Sequence, residues 1–516
     1  MLLSCFDTRL ESLPAPLPIR HGLVDAEGWR NAAEAVRAGG ARLVSLWATD
    51  RRPLGEAYVV NAAYAIPEGL VWIGLPLADE DEAYPDLTAH FPTAGRMQRA
   101  VRDLLGLHAA GARDQRPWLR HGTWPPDFFP LRHDAEPSSR FPEFGGESYA
   151  FVPVDGEGVH EIPVGPVHAG IIEPGHFRFS TVGEKVLRLE ERLGYVHKGI
   201  EKRFESLAPA EAHRLAGRVS GDSTVAYAWA YCMALESAAD LQIPQRAAAL
   251  RAMMLERERV ANHLGDLGAL GNDAAFAFGL AQFSRLKEDW LRASSAAFGH
   301  RFMMDRVVPG GVACDVDTAA LTAMIDHCKA LGAEVEGLRK VYDGHAGLQD
   351  RFLTTGRVTP ELATRLGLCG LAGRASGQPA DLRCDHPTPP YDALAVQRAV
   401  RRNGDVAARV NVRFDELAES LRLIATLCAR LPEGAIATPL TRVPAAARGA
   451  GWVEAWRGQI FVGLELDADG AIRRCHCHDP SWHNWPLLEY AVIGNIVPDF
   501  PLINKSFNLS YSGQDL

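Results

Sequence analysis

The sequence predicts an α+β protein in which a small N-terminal α/β domain precedes a mainly helical bundle with small β-sheet pieces. Three observations predict it. Residues 42–47 and 70–77 are short apolar runs of strand length bounded by polar or turn residues. Longer stretches at 245–270 and 414–431 repeat apolar residues at three- and four-residue steps, the spacing of one helix face. The chain then returns to strand character over 459–466 and 472–477, on either side of a turn at 467–470.

In the first domain, residues 1–133, the two strands are followed by a helix over 96–107, whose apolar positions are Met97, Val101, Leu104 and Leu105. Residues 116–142 are rich in proline, aromatics and charge, which predicts an extended arm wrapping a neighbour. A linker over 134–160 leads into the second domain, 161–516. Strands are expected at 149–154 and 159–164. In the 245–270 helix, Leu250, Met254, Leu264 and Leu267 line one side, and Arg251, Glu258 and Arg259 form the polar side. Leu417, Leu421, Ile424, Cys428 and Leu431 mark a second long helix.

With 516 residues, 47% hydrophobic and 23% charged, the chain has an ordinary globular balance. Its net charge of -10 argues against nucleic acid as a partner, since that partner requires a basic surface. No apolar run is long enough to span a bilayer, and the N-terminus lacks an export signal, so a cytoplasmic location with membrane contact only through partners is expected. The nine cysteines are scattered and include no Cys-x-x-Cys pair. Cys475-His476-Cys477-His478 is a weak metal motif, because structural zinc sites space their cysteines by two to four residues. No bound metal is expected. Pro309-Gly310-Gly311 reads as a turn, since no Gly-Lys-Ser/Thr follows to complete a phosphate loop.

Several segments in order resemble one family. They are Gly165-Pro166-Val167-His168 through Glu173-Pro174-Gly175-His176-Phe177-Arg178-Phe179, and Arg192-Leu193-Gly194-Tyr195-Val196-His197-Lys198-Gly199-Ile200-Glu201-Lys202. They continue with Glu258-Arg259-Val260-Ala261-Asn262-His263, Pro309-Gly310-Gly311-Val312, Arg374-Ala375-Ser376-Gly377 with Asp381-Leu382-Arg383, and Gly404-Asp405 with Arg409. This set resembles the large subunits of group 4 membrane-bound nickel–iron hydrogenases (the formate hydrogenlyase type) and the quinone-site subunit of respiratory complex I. Upstream, Phe91-Pro92-Thr93 and the segment Arg99 to Leu107 resemble the small peripheral-arm subunit of complex I, which some bacteria fuse to the large one.

The resemblance implies a mechanism and exposes a departure from it. In the hydrogenases, nickel and iron are held by two Cys-x-x-Cys pairs. Here the corresponding positions carry Ser220 and Ser223 in the first motif, and Ser481 and Asn484 in the second. Low-valent iron and nickel take soft thiolates, and neutral hydroxyls and amides are hard, weak donors. The family processes its tail after a histidine of the last motif. Leu487 stands at that position, so the tail is expected to stay in place as in complex I. No cofactor is then held firmly by this chain. An iron–sulfur cluster in a partner small subunit would pass electrons to a quinone or another acceptor, and NAD chemistry would belong to another subunit of the complex. Membrane-embedded ion-translocating subunits would be the further partners, holding the chain peripherally on the inner face of the cell membrane.

The candidate catalytic residues are Glu201, His168, His176 and Asp273. Glu201 occupies the family's proton-relay position, where burial would raise its pKa. The bland alternative is an ion pair with Lys198, Lys202 or Arg203. Asp273 falls near the acid of complex I, though aspartates at helix ends are common caps. The quinone-binding tyrosine of complex I is replaced by Gly221. The candidate cavity residues are Ser220, Ser223, Tyr227, Ser481 and Asn484. Ser220, Ser223, Tyr227 and Tyr231 have the spacing of one helical face, either a polar stripe or a helix start with packing tyrosines. The alternative to a redox role is a non-catalytic scaffold that kept only the docking surfaces. A hydrogenase with oxygen ligands is the remote third.

Overall fold

A computed structural model describes residues 2–6, 8–78, 82–136, 138–141, 148–168 and 172–516. The N-terminal part is a mixed five-stranded sheet. Its strands are β1 (Glu11–Leu13), β2 (Ile19–Leu23), β3 (Arg42–Asp50), β4 (Tyr58–Ile66) and β5 (Gly69–Pro76), ordered β1-β2-β5-β4-β3 with only β2 and β5 parallel. Helices α1 (Ala26–Ala38) and α2 (Ala94–Leu105) cover one face. Strands β3 to β5 are almost wholly buried, which explains why they read as unbroken apolar runs: both faces of the sheet are covered.

The second face of that sheet packs against strands from the end of the chain. These are β9 (Arg448–Glu454), β10 (Gln459–Leu466) and β11 (Ile472–His478), an antiparallel sheet in sequence order. Before them come β6 (Val159–Val164), β7 (His176–Val182) and β8 (Lys185–Arg192), a separate three-stranded sheet. Trp47 lies flat on the His476 ring at 4.7 Å and meets Phe461 at 5.4 Å. Polar contacts pin the same seam, with Thr49 Oγ1 donating to Glu465 at 2.7 Å and Ser45 Oγ 2.7 Å from His476 Nε2.

Five long helices build the rest: α3 (Thr224–Ala239), α4 (Gln245–Asp273), α5 (Ala277–Phe298), α6 (Thr318–Gly344) and α7 (Val406–Ala429). Helix α3, alanine-rich and buried nearly all round, lies directly on β9. Gly449 and Gly451 permit that approach: a Cβ there would sit 1.9 Å from Ala234 O and 1.8 Å from Ala230 O. After β11 come α8 (Ser481–Ala491), α9 (Phe500–Phe507) and the last helix, α10 (Tyr511–Asp515).

The α+β class and the expected strands and helices are borne out, with three differences. Residues 149–154 form no strand. Tyr149 and Phe151 instead lie under the guanidinium groups of Arg192 and Arg178, at 4.1 and 4.3 Å. The arm that follows residue 116 wraps this chain's own elements: Asp103 accepts the Trp118 and Leu119 amides at 2.6 and 2.7 Å. Most importantly, α4 has no solvated polar side. Arg251, Glu256, Arg257, Glu258 and Arg259 are all buried.

Most of those charges are paired. Glu256 meets Arg383 at 3.1 Å and Arg259 at 3.2 Å, and accepts the hydroxyls of Ser420 and Tyr391 at 2.6 and 2.8 Å. Arg374 reaches Glu416 at 2.7 Å and Glu454 at 2.8 Å, and Arg383 reaches Asp381 at 2.8 Å. His263 Nε2 closes the array on Glu416 at 3.0 Å. Helices α4 and α7, strand β9 and the 370–385 segment therefore meet in one buried ionic lattice. Its attractive energy offsets the cost of removing these charges from water only while every partner is present. Arg374→Met should consequently lower the unfolding free energy by about 3–5 kcal/mol, by stranding Glu416 and Glu454. Denaturant titration of the purified protein measures it, and a loss below about 1 kcal/mol would show that the lattice does not bear on stability.

Candidate functional site

The two motifs that hold metal in the resembling hydrogenases come together here. Ser220 and Ser223 flank the turn that starts α3, and Ser481 and Asn484 lie in the first turn of α8. All four are buried. Between the motifs sits the segment 508–516. Ser510 Oγ is 2.9 Å from Ser220 Oγ, and the Ser510 amide donates to Ser481 Oγ at 2.9 Å. Ser510 Oγ also accepts the Gly513 amide at 2.8 Å. Tyr227 donates to Asp479 at 2.8 Å, and Asp479 Oδ1 accepts the Ser481 amide at 2.8 Å. Asn484 turns away to Cys369, accepting its amide at 3.1 Å and donating to its carbonyl at 3.2 Å.

The expected stripe of four hydroxyls is thus divided. Tyr227 belongs to the site, whereas Tyr231 donates to Pro209 O at 2.8 Å and stacks on Phe204. The helix-start alternative also needs amendment, because neither Ser220 nor Asp222 caps α3. Its first amides, Val225 and Ala226, donate to Glu258 at 2.7 and 3.2 Å. Asp222 instead forms an ion pair with Arg457, with 2.7 Å between Oδ1 and Nη1.

A nickel–iron centre does not fit this arrangement. Its four donor positions are hard oxygens or an amide, and their polar atoms are engaged with Asp222, Arg457, Ser510 and Cys369. Cys475 and Cys477 offer no substitute set. They are buried on the α3 side of β11, while His476 faces Ser45 of β3, so the expected alternation splits the motif between two faces. Among the described residues, the only cluster of three metal-type ligands is Asp50, His133 and Asp134, which Arg52 already bridges at 2.7 and 3.2 Å.

Glu201 requires a correction. It is buried, but its partners are neither Lys198, Lys202 nor Arg203. Its carboxylate lies 3.0 Å from Arg474 and 2.7 Å from His476 Nδ1. Burial alone would raise its pKa, yet the Arg474 charge and the His476 hydrogen bond prevail and hold it down at about 2. Glu201 is therefore ionised at neutral pH and cannot itself take up and release protons there.

Protons are held by two carboxyls that sequence reasoning missed. Burial pushes Asp515 up to about 7 and Glu258 up to about 8, against the pull of backbone amides on each. Asp515 accepts the Val196 amide at 3.1 Å and, with Glu201, His197, Arg474, His476 and His478, lines a cavity of about 30 Å³. Among the described residues, His478 Nε2, Arg474 Nη1 and Trp482 Nε1 have no partner, and their side chains border it, which is room and polarity for a bridging water or two. No local pattern marks Asp515 or Glu258, since the shifts arise from burial by distant segments.

The remaining candidates lie around this centre. His168 Nε2 bonds to Gly175 O at 2.8 Å. His176 Nδ1 is 3.3 Å from Gly165 O, and its buried Nε2 has no partner among the described residues. Residues 169–171 of the same loop lie outside the described residues. Asp273, half-buried at the end of α4, is raised by burial and feels the opposing charge of Lys505. Lys505 in turn lies 3.5 Å from Asp266, which accepts Asn508 at 2.7 Å. Polar groups therefore run from Asp273 to the segment that fills the site.

Residues 23–140 match the family model of the respiratory-chain NADH dehydrogenase 30 Kd subunit, and residues 266–449 that of the 49 Kd subunit. The chain is 31% identical to formate hydrogenlyase subunit 5 of Escherichia coli over 92% of its own length and 85% of that protein. It is 32% identical to hydrogenase-4 component G of Escherichia coli, covering 91% and 83%. It is 30% identical to the carbon monoxide-induced hydrogenase of Rhodospirillum rubrum, covering 68% and 97%. A chain of the membrane-bound sulfane sulfur reductase, an archaeal respiratory membrane complex, has the same fold. The TM-score is 0.66 and the identity 24%, over 71% of this chain and all of that one.

The raised carboxyls carry a pH signature. Each binds, in the fold, a proton that the unfolded chain releases at ordinary carboxyl values. Each thus favours folding at low pH and loses that contribution as pH rises, for Glu258 between about 4.5 and about 8. Between pH 5 and 8.5 the native protein should lose a few kcal/mol relative to Glu258→Gln, measured by urea unfolding of both. An equal pH dependence in the two proteins would show that Glu258 is ionised throughout.

Proposed function

The chain belongs to the family of membrane-bound hydrogenase large subunits and fused complex I 30 Kd/49 Kd subunits, and from that premise we propose that it is a redox-coupling subunit with no nickel–iron centre of its own. It works within a membrane-associated oxidoreductase complex on the inner face of the cell membrane. The observation that carries the proposal is the Ser220–Ser510–Ser481 contact: where thiolates would converge on metal, hydroxyls converge on the protein's own C-terminal segment.

On this reading, a partner small subunit supplies an iron–sulfur cluster and membrane-embedded partners translocate ions. Electrons from the cluster reduce a quinone or another acceptor at this face. A quinone takes two electrons and two protons, so the acceptor site needs proton-holding groups nearby. Asp515 and Glu258 are suited to that task, because burial has brought both pKa values close to neutral pH. Glu201 acts differently, as a fixed negative charge that orients His476. His176 Nε2, which has no partner among the described residues, is a group that fits a quinone carbonyl oxygen. Gly221 supplies no phenol, so one of the two headgroup contacts expected from complex I is missing.

A second reading, the non-catalytic scaffold, is favoured by the same closure, since a filled cavity offers no open place for a reaction. The two separate in the purified complex. Asp515→Asn and Asp273→Asn should each slow quinone-dependent electron transfer at least about tenfold, the size of a typical proton-transfer contribution or less. Full turnover in both variants would leave only the scaffold. Elemental analysis of the same complex should give far less than one nickel per chain, and stoichiometric nickel would overturn both readings.

A further inference from the structure

Helices α4 and α5 pack side by side, with a small cavity in the groove between them. Glu258, Ala261 and Asn262 line it from α4, and Lys287, Leu291 and Ser294 line it from α5. Steps of three and four residues set each trio on one helix face. The cavity measures about 50 Å³, room for a few water molecules, and Gly221 and Arg301 at its rim are exposed. It is thus an opening through which the buried Glu258 faces solvent.

Lys287 is the unusual member of this lining. It is half-buried, whereas a lysine that only covered apolar surface would carry its head out to water. Among the described residues no carboxylate lies within ion-pair distance of it. The acids whose charge reaches it, Asp266 and Asp222, are already paired, the first with Arg413 and Lys505 and the second with Arg457. Burial holds the Lys287 pKa below the ordinary lysine value. Gly265, about two turns along α4 from Glu258, makes room for the amine: a Cβ there would sit 2.7 Å from Lys287 Nζ. Between the two, Asn262 donates to the Asp222 and Glu258 carbonyls at 2.8 and 2.9 Å, and its Oδ1 accepts from no described residue. An amine, an open amide oxygen and a carboxyl thus follow one another along one side of α4.

We propose that Lys287 delivers protons from solvent to Glu258, through water held at Asn262 Oδ1. The inference rests on the proton-holding role of Glu258. In each delivery the Lys287 ammonium gives one proton to the water, and the water gives one to the Glu258 carboxylate. The neutral amine then takes a replacement proton from solvent at the rim. One proton enters and one arrives, and the lysine ends as it began. The two α3 amides bound to Glu258 leave lone pairs on its oxygens to receive the proton. Lysine suits the task because a desolvated ammonium releases its proton, which a guanidinium does not.

Infrared spectroscopy of the full-length protein tests this without any electron acceptor. At pH 6, Glu258 should give a protonated carboxyl band that disappears in Glu258→Gln. After rapid mixing into deuterated water, that band should move to its deuterated position at least about tenfold more slowly in Lys287→Met than in the parent protein. Lys287→Arg keeps the charge without releasing a proton, so it should be as slow, and Lys287→His should recover much of the rate. The Asp515 band, identified with Asp515→Asn, should exchange equally fast in all of them. Urea unfolding checks that the variants fold. Exchange of Glu258 at the parental rate in Lys287→Met, its restoration by Lys287→Arg, or a slowing shared by Asp515 overturns the proposal and leaves Glu258 a proton holder. Absence of the Glu258 band at pH 6 overturns the proposal and the proton-holding role together.

Discussion

The buried ionic lattice around α4 sets the terms for the rest of the structure. Four acids, three arginines and a histidine from four separate segments can be kept from water only if their positions are nearly complementary. Such an array contributes little to net stability compared with a hydrophobic core of the same shape. What it supplies is a register for α4 and α7, since a shift of one residue would strand a charge. Asp222, Glu258 and Asn262, which frame the start of α3, inherit their places from that register.

At the meeting of the two motifs, small buried polar side chains converge on the C-terminal segment. Ser220 and Ser481 bond the hydroxyl and amide of Ser510, while Leu509, Tyr511 and Leu516 of the same segment pack into the apolar core. Hydrogen bonds and titratable carboxyls therefore lie beside the two motifs. Glu201 and Asp515 line one small cavity with opposite tendencies: the Arg474 charge and the His476 hydrogen bond hold Glu201 down, while burial raises Asp515 against the pull of its backbone amides.

Much of this is legible in the sequence, and the rest is hidden for physical reasons. The strands at 42–50 and 69–76 and the helices at 245–273 and 406–429 follow from apolar spacing, a local property. The changed motif positions follow from residue identity. The inward-facing charges of α4 escape a periodicity argument, which separates polar from apolar, so a helix enclosed by ion pairs looks amphipathic. Tyr149 and Phe151 suggest a strand because aromatics favour sheets, whereas arginines claim their faces here. The burial of Glu201 is foreseeable, but the sign of its shift depends on Arg474, more than two hundred residues away. Asp515 and Glu258 become visible only once distant segments have buried them.

The double coverage of the N-terminal sheet has a consequence for synthesis. Strands β3 to β5 leave the ribosome early, yet the strands that cover their second face begin at residue 448. At elongation rates of roughly 5–20 residues per second, that delay is on the order of 20–80 s. Throughout it, the nascent chain displays a bare sheet face bearing Trp47 and Trp72, the kind of surface that recruits chaperones or aggregates. Until the chain's own last sheet arrives, this face is the part of the nascent protein that most needs shielding from other apolar surfaces.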